Sequence, residues 1–289
     1  VAAPNFEAPT DSGSNNVYDV TVQVADGNGG TDTQAIAVTV TNVNEAPVIT
    51  SDGAGATATR NAAENGTAVT TVTATDVDAA TTLTYSISGG ADAAKFAINS
   101  STGVLTFVSA PDFEVPTDIG SNNVYDVTVQ VSDGAFTDTQ GIAVTVTNVN
   151  ESPVITSDGG GTTASVSAAE NQTAATTVAS TDVDGGAPSY SIVGGADAAL
   201  FTINASTGAL SFAAAPNFEA PADAGGNNVY DVTVQVADGN GGTDTQAIAV
   251  TVTSVNDNAP VITSDGGGAT ATANVAENQT TVTTVVATD

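Results

Sequence analysis

The chain contains no cysteine, no histidine, no methionine and no tryptophan. Without cysteine or histidine there is no thiol nucleophile, no imidazole base, no zinc or iron–sulfur ligand set and no disulfide, so most enzyme chemistries are excluded and a non-enzymatic protein is expected. The missing cysteines assign no compartment; they say only that no disulfide holds the fold. Positive charge is scarce as well. Two Lys+Arg against 32 Asp+Glu give a formal net charge of −30. Nucleic acids and anionic membranes are polyanions that bind basic patches, so neither is a partner by direct charge attraction. No run of about 18 apolar residues occurs, which excludes a membrane-spanning helix by direct insertion. The start at Val1 lacks the basic segment and apolar core of a signal peptide, so a secreted protein with this sequence is expected to be an excerpt or a matured product.

What the chain does have is repetition. Asn-Asn-Val-Tyr-Asp-Val-Thr-Val-Gln-Val occurs three times, with its tyrosine at Tyr18, Tyr125 and Tyr230. Ala-Glu-Asn recurs with its glutamate at Glu64, Glu170 and Glu277, and Pro-x-Phe-Glu recurs around Glu7, Glu114 and Glu219. The period of about 106 residues is the size of one β-sandwich module. Framed from one Pro-Val-Ile-Thr to the next, the 289 residues hold two whole repeats, 46–151 and 152–257. The back of another repeat (1–45) precedes them and the front of a fourth (258–289) follows.

Within a repeat the pattern has period two. Tyr125, Val127, Val129 and Val131 share one face and Asp126, Thr128 and Gln130 the other; Ile142, Val144 and Val146 repeat the pattern. Such Val- and Thr-rich alternation reads as half-buried antiparallel strands. Asp133-Gly134 and Ser101-Thr102-Gly103 mark turns between them. About seven strands fit each repeat, and one apolar sheet face must be covered by another. The fold class expected is all-β: tandem seven-stranded Greek-key β-sandwiches of immunoglobulin-like type.

Repeat 46–151 holds twelve carboxylates, most of them at strand ends and turns. Strand ends of a sandwich gather at its two poles, where crowded carboxylates repel unless they share a cation. Oxygen ligands without histidine or cysteine select calcium, and with so few Lys and Arg the protein cannot neutralise the cluster itself. Tyr125 and Tyr230 are expected in the core, Asp52 in a loop, and Arg60 and Lys95 as ordinary surface residues. The Asp-Gly-Asn-Gly-Gly-Thr-Asp runs at 26–32 and 238–244 read as hairpin loops.

Ala-Glu-Asn, Asp112-Phe-Glu114, Ala-Thr-Asp76-Val-Asp78, Val-Ser-Asp133-Gly134 and Ser254-Val-Asn256-Asp257-Asn258-Ala-Pro260 together resemble the cadherin repeat, in the form found in large bacterial surface proteins. The resemblance covers nearly the whole chain and keeps the motifs in order. It implies calcium ions between successive modules. At the middle junction it implies Glu64, Asp112 and Glu114 from the first whole repeat, Asn150 and Glu151 from the boundary, and Asp182, Asp184 and Asp238 from the second. For the preceding junction it implies Glu7, Asn44, Glu45, Asp76, Asp78 and Asp133, and for the following one Glu170, Glu219, Asn256, Asp257, Asn258 and Asp289. Departures from the family pattern point to fewer ions per junction: two linkers are one residue short, the first linker position is Asn42, Asn148 or Ser254, and Asn5 and Asn217 stand where Asp112 does.

The function this implies is a calcium-rigidified extracellular rod of a bacterial adhesin, stalk or surface filament. It would be secreted or on the cell surface, with other copies of itself, surface proteins or glycans as partners. Two alternatives stand beside it. One is a self-assembling filament subunit whose end modules are completed by neighbouring copies. The other is a glycan-binding module, which the 4% aromatic content disfavours.

Overall fold

Alternating valine and threonine produce hairpins, and the hairpins stack into sandwiches. The structure is a computed structural model describing residues 2–79 and 81–288, and the chain divides into two compact units, Val1–Val149 and Asn150–Asp289.

The first unit opens with a lone hairpin, β1 (Val17–Ala25) and β2 (Thr31–Thr39), in antiparallel register from Val17↔Thr39 to Ala25↔Thr31. A complete sandwich follows. Its segments are β3 (Val48–Ile49), β4 (Thr57–Ala63), β5 (Ala68–Thr71), β6 (Ala74–Thr75), β7 (Thr84–Gly89), β8 (Phe96–Ile98), β9 (Val104–Phe107), β10 (Val124–Ser132) and β11 (Thr137–Thr147). One sheet has the order β4-β11-β10-β7; the other comprises β5-β9-β8 and the short pair β3-β6. Because β3/β4 and β5/β6 are each one interrupted strand, the module is seven-stranded. β4 runs parallel to β11, whereas every other pairing is antiparallel.

Period two puts Val127, Val129 and Val131 of β10 and Ile142, Val144 and Val146 of β11 on one inward face, all fully buried against Val72, Leu105 and Phe107 of the second sheet. Phe96 stacks on Phe107 with centroids 4.7 Å apart, and Tyr125 meets Phe107 edge-on at 5.3 Å. Such pairs add to area burial because ring edges and faces carry opposite partial charge. The Tyr125 hydroxyl accepts the Thr117 N–H at 3.1 Å, so the core tyrosine also pins the loop entering β10. Gly103 sits at φ +70°, where a Cβ would lie 2.1 Å from the Val72 carbonyl oxygen; only glycine makes this turn.

The second unit repeats this plan with β12 (Val154–Ile155), β13 (Thr163–Ala169), β14 (Ala174–Thr177), β15 (Ser180–Thr181), β16 (Ser189–Gly194), β17 (Phe201–Ile203), β18 (Ala209–Phe212), β19 (Val229–Ala237) and β20 (Thr243–Thr253). Its sheets are β13-β20-β19-β16, β14-β18-β17 and β12-β15. A last short pair, β21 (Val261–Ile262) with β22 (Ala287–Thr288), ends the unit.

Several carboxylates prove to be structural. Asp92 is buried and accepts the N–H groups of Ile119 and Asp126 at 2.8 and 2.9 Å. Asp118 accepts those of Asn122 and Asn123, each at 3.0 Å, and Asp138 accepts that of Ile49 at 2.8 Å. Asp52 and Arg60, expected as a loop residue and a surface cation, form an ion pair, and Asp52 also accepts the Thr70 hydroxyl at 3.1 Å.

Candidate metal centres

Strand ends deliver most of the remaining carboxylates to the poles of each sandwich. Just after β6, Asp76 and Asp78 fold back on the linker. The Asp78 N–H binds Asp76 Oδ1 at 2.9 Å, while Asp78 accepts the Glu45 N–H at 2.8 Å and the Asn42 amide at 2.7 Å. Glu7, from the loop before β1, comes in beside them. Oxygens of Glu7, Glu45 and Asp78 lie within 4.8 Å of one another. The cost of this crowding shows at Glu45, whose carboxyl is pushed above the usual glutamate range, first by desolvation and then by the carboxylates of Glu7, Asp78 and Asp76. Asp76 Oδ2 is buried with no hydrogen-bond partner among the described residues. A set of oxygen acceptors with too few donors fits a hard divalent cation.

The same linker contacts the β10–β11 turn. Asn44 donates to Asp133 at 2.7 Å. Asp133 is held below the usual aspartate range, first by the Phe136 N–H, then by the Asn44 amide and the Ala135 N–H.

The opposite pole of this module is built on Glu64, which follows β4 and is 3% exposed. Its two oxygens accept the N–H groups of Phe113 and Val149, each at 2.7 Å. That grip fixes the loop carrying Asp112 and Glu114, and oxygens of Glu64, Asp112 and Glu114 converge within 4.8 Å. Asn148 donates its amide to Glu114 at 3.0 Å.

In the second unit Asn150 donates to Asp238 at 2.7 Å, the Glu151 N–H binds Asp184 at 2.6 Å and the Asp184 N–H binds Asp182 at 3.0 Å, reproducing the arrangement around Asn44, Glu45, Asp76, Asp78 and Asp133. Asp238 is lowered chiefly by the Asn150 amide, with the N–H groups of Asn240, Gly242 and Gly241 behind it. At the far pole Glu170 accepts the N–H groups of Val255 and Phe218 at 2.7 and 2.8 Å, which lower its pKa in that order. Oxygens of Glu170, Glu219 and Asp257 fall within 4.8 Å of one another. Asn256 and Asn258 flank Asp257 and line the same shallow cleft as Glu219. Asp289 lies outside the described residues.

Two features were not read from the sequence. Linker asparagines Asn42 and Asn148, which there stood as departures from a metal-binding pattern, are amide donors to Asp78 and Glu114. Asn171 of Ala-Glu-Asn does the same for Asp257 at 2.5 Å. The fixed offset of these asparagines from the acidic motifs was the available signal. The second feature explains the Asp/Asn exchange: Asp112, Asn217 and Asn5 each accept the N–H three residues on, at 2.8, 2.9 and 2.9 Å. The turn needs a side-chain oxygen there, and either residue supplies it.

Comparison with known proteins adds an independent line. Residues 57–150 match the Cadherin domain family, and residues 150–251 match the Bacterial Ig domain family. Human Protocadherin Fat 1 is 30% identical over 271 residues, covering 89% of this chain and 6% of that protein. Human Protocadherin Fat 4 is 36% identical over 165 residues, covering 53% of this chain and 3% of that one. The chain therefore spans only a small fraction of the length of these relatives. Among solved structures, that of Protocadherin Gamma B2 extracellular cadherin domains 1-5 matches with a TM-score of 0.53 at 23% identity, covering 97% of this chain and 53% of the other, a likeness of fold.

Proposed function

We propose that the chain is a run of cadherin-type repeats, which are adhesion modules rather than enzymes, and that it forms a calcium-rigidified segment of an extracellular tandem-repeat rod in a bacterial adhesin, stalk or surface filament. The observation that carries this reading is the convergence of Glu7, Glu45 and Asp78, where an acidic linker residue meets carboxylates from both sides. The raised pKa of Glu45 and the orphaned Asp76 oxygen support it, because both are remedied by one divalent ion. Glu7, Glu45, Asp76 and Asp78 would hold that ion, with Asn44 and Asp133 completing the shell. Turned over, the Asn44 amide offers an oxygen in place of its donor. The equivalent residues in the other repeats take the same roles: Glu64, Asp112, Glu114, Asn150, Glu151, Asp182, Asp184 and Asp238, then Glu170, Glu219, Asn256, Asp257 and Asn258, with Asp289 assigned by sequence alone. The ion supplies positive charge that cancels the repulsion, and its ligands then tie linker to module. In this reading the repeats 46–151 and 152–257 are the stiff units, the segments 1–45 and 258–289 belong to adjoining ones, and other copies of the chain or surface ligands are its partners outside the cell.

Extracellular calcium modules bind with Kd of roughly 10⁻⁴–10⁻³ M. Titration calorimetry on the chelator-stripped chain should show calcium uptake in that range. Calcium at about 10 mM should then raise stability by about 1–3 kcal/mol, and solution scattering should show a longer mean particle with calcium than with chelator. No heat of binding and superimposable scattering profiles would remove the calcium mechanism.

A further inference from the structure

The terminal strands of each complete module run side by side in the same direction. β4 pairs with β11 through consecutive residues from Gly141↔Thr57 to Thr147↔Ala63, and β13 pairs with β20 from Thr163↔Ala247 to Ala169↔Thr253. A pull on the chain enters the module ahead of β4 and leaves it after β11. For an antiparallel terminal pair those two points lie at the same end of the ladder, and tension peels the hydrogen bonds one by one. For a parallel pair they lie at opposite ends, so tension acts along the strands and stresses the whole ladder at once, in shear. A single hydrogen bond adds little net stability, so simultaneous loading is what gives resistance. We infer that the parallel terminal pair is a mechanical clamp that makes each complete module resist stretching, independently of whether the poles bind calcium.

The ladder is extended at both ends. Gly141 N–H binds the Ala56 carbonyl at 2.9 Å before the first pair; after the last, Glu64 N–H binds the Thr147 carbonyl at 3.1 Å and the Glu64 carboxylate takes the Val149 N–H at 2.7 Å. The second module repeats all three contacts: Ala247 N–H to the Thr162 carbonyl at 2.9 Å, Glu170 N–H to Thr253 at 3.0 Å, and Val255 N–H to the Glu170 carboxylate at 2.7 Å. Upstream, β3 pairs with β6 through Val48↔Thr75 and Ile49↔Ala74, continued by the Thr50 N–H to the Thr73 carbonyl at 2.8 Å, and this antiparallel ladder is shorter than the clamp. The two bonds flanking the ladder also fix its phase. By the regular alternation of a parallel pair, β4 donates its N–H groups to β11 from even-numbered residues, Ala58 among them.

The test is single-molecule stretching of the full chain. Pulled through its ends, it should give two high-force events, each releasing on the order of 300 Å of contour length from the residues between β4 and β11 or their counterparts. Because the chain has no cysteine of its own, Ala54→Cys with Ala135→Cys supplies unique attachment points. Both are exposed and lie just ahead of β4 and β11, so pulling there peels the same ladder from one end. The rupture force should fall several-fold relative to end-to-end pulling, in calcium and in chelator alike. A ratio that survives in chelator separates the clamp from the calcium reading, while forces that coincide in the two directions overturn the clamp. If the cysteine variants fail to fold, end-to-end pulling of Ala58→Pro against Thr59→Pro decides it. Only Ala58→Pro deletes a clamp bond, and equal rupture forces in the two would overturn the proposal.

Discussion

Residues 15–41 and 227–253 have the same amino-acid sequence, yet they occupy different surroundings. Each forms a hairpin in the same register, Tyr18↔Val38 in one and Tyr230↔Val250 in the other. In the complete module Val232, Val234, Val236, Ile248 and Val250 are buried, with Val234 at 0% exposure. In the first copy Val20, Val22, Val24, Ile36 and Val38 are exposed, with Val22 at 44%. Local sequence is therefore enough for strand, turn and register, whereas burial comes from the second sheet. Even the tyrosine contact survives the change: the Tyr18 hydroxyl accepts the Thr10 N–H at 3.1 Å, as Tyr230 accepts that of Ala222.

The largest effect that would sharpen this contrast is a pair of matched truncations. Val234→Ala should cost about 2–3 kcal/mol, from lost burial and a residual cavity. Val22→Ala, the same substitution in the same local sequence, should stay within about 0.5 kcal/mol. Denaturant unfolding of the two variants checks it, and equal losses would mean that the first hairpin is packed in solution.

A smaller effect separates Asp112 from its asparagine counterparts. Asp112→Asn keeps the oxygen that accepts the Val115 N–H and should leave calcium-free stability within about 0.5 kcal/mol. Asp112→Ala removes it and should cost about 1 kcal/mol. Thermal melts of both variants in chelator test the pair.

The finest comparison is between two acidic poles with opposite proton linkage. Glu45 has a raised folded pKa, so without calcium its contribution favours the folded joint at low pH and is lost as pH rises through that value. Glu170 has a lowered one, so its contribution is present above the unfolded value and is lost as pH falls through the folded pKa. Carboxyl NMR titration in chelator should place the Glu45 midpoint above that of Glu170. In the proposed calcium site the Glu45 midpoint should then drop on adding calcium, because the ion favours the charged form.

These contrasts mark what the residues alone could and could not reveal. Strands and core were legible because period two is local: Val127, Val129 and Val131 declare their face without reference to anything distant. The sorting of carboxylates was not. Asp92, Asp118 and Asp138 look like any acidic turn residue, and Asp138 finds its partner Ile49 across 89 positions of chain. Polar acids such as Asp76 and Asp78 were legible as a cluster because they recur beside turn signals at each repeat. Their amide partners Asn42 and Asn148 were overlooked, because a search for ligands weighs charge and discounts the neutral donors that hold the ligands in place.

The two identical hairpins carry a consequence for how the polypeptide assembles. Both present the same valine rows, in the same spacing, to whatever apolar sheet becomes available first. During refolding the exposed sheet of the second module is offered a correct lid and an indistinguishable decoy from elsewhere on the chain, and only the shorter tether of residues 213–226 favours the right one.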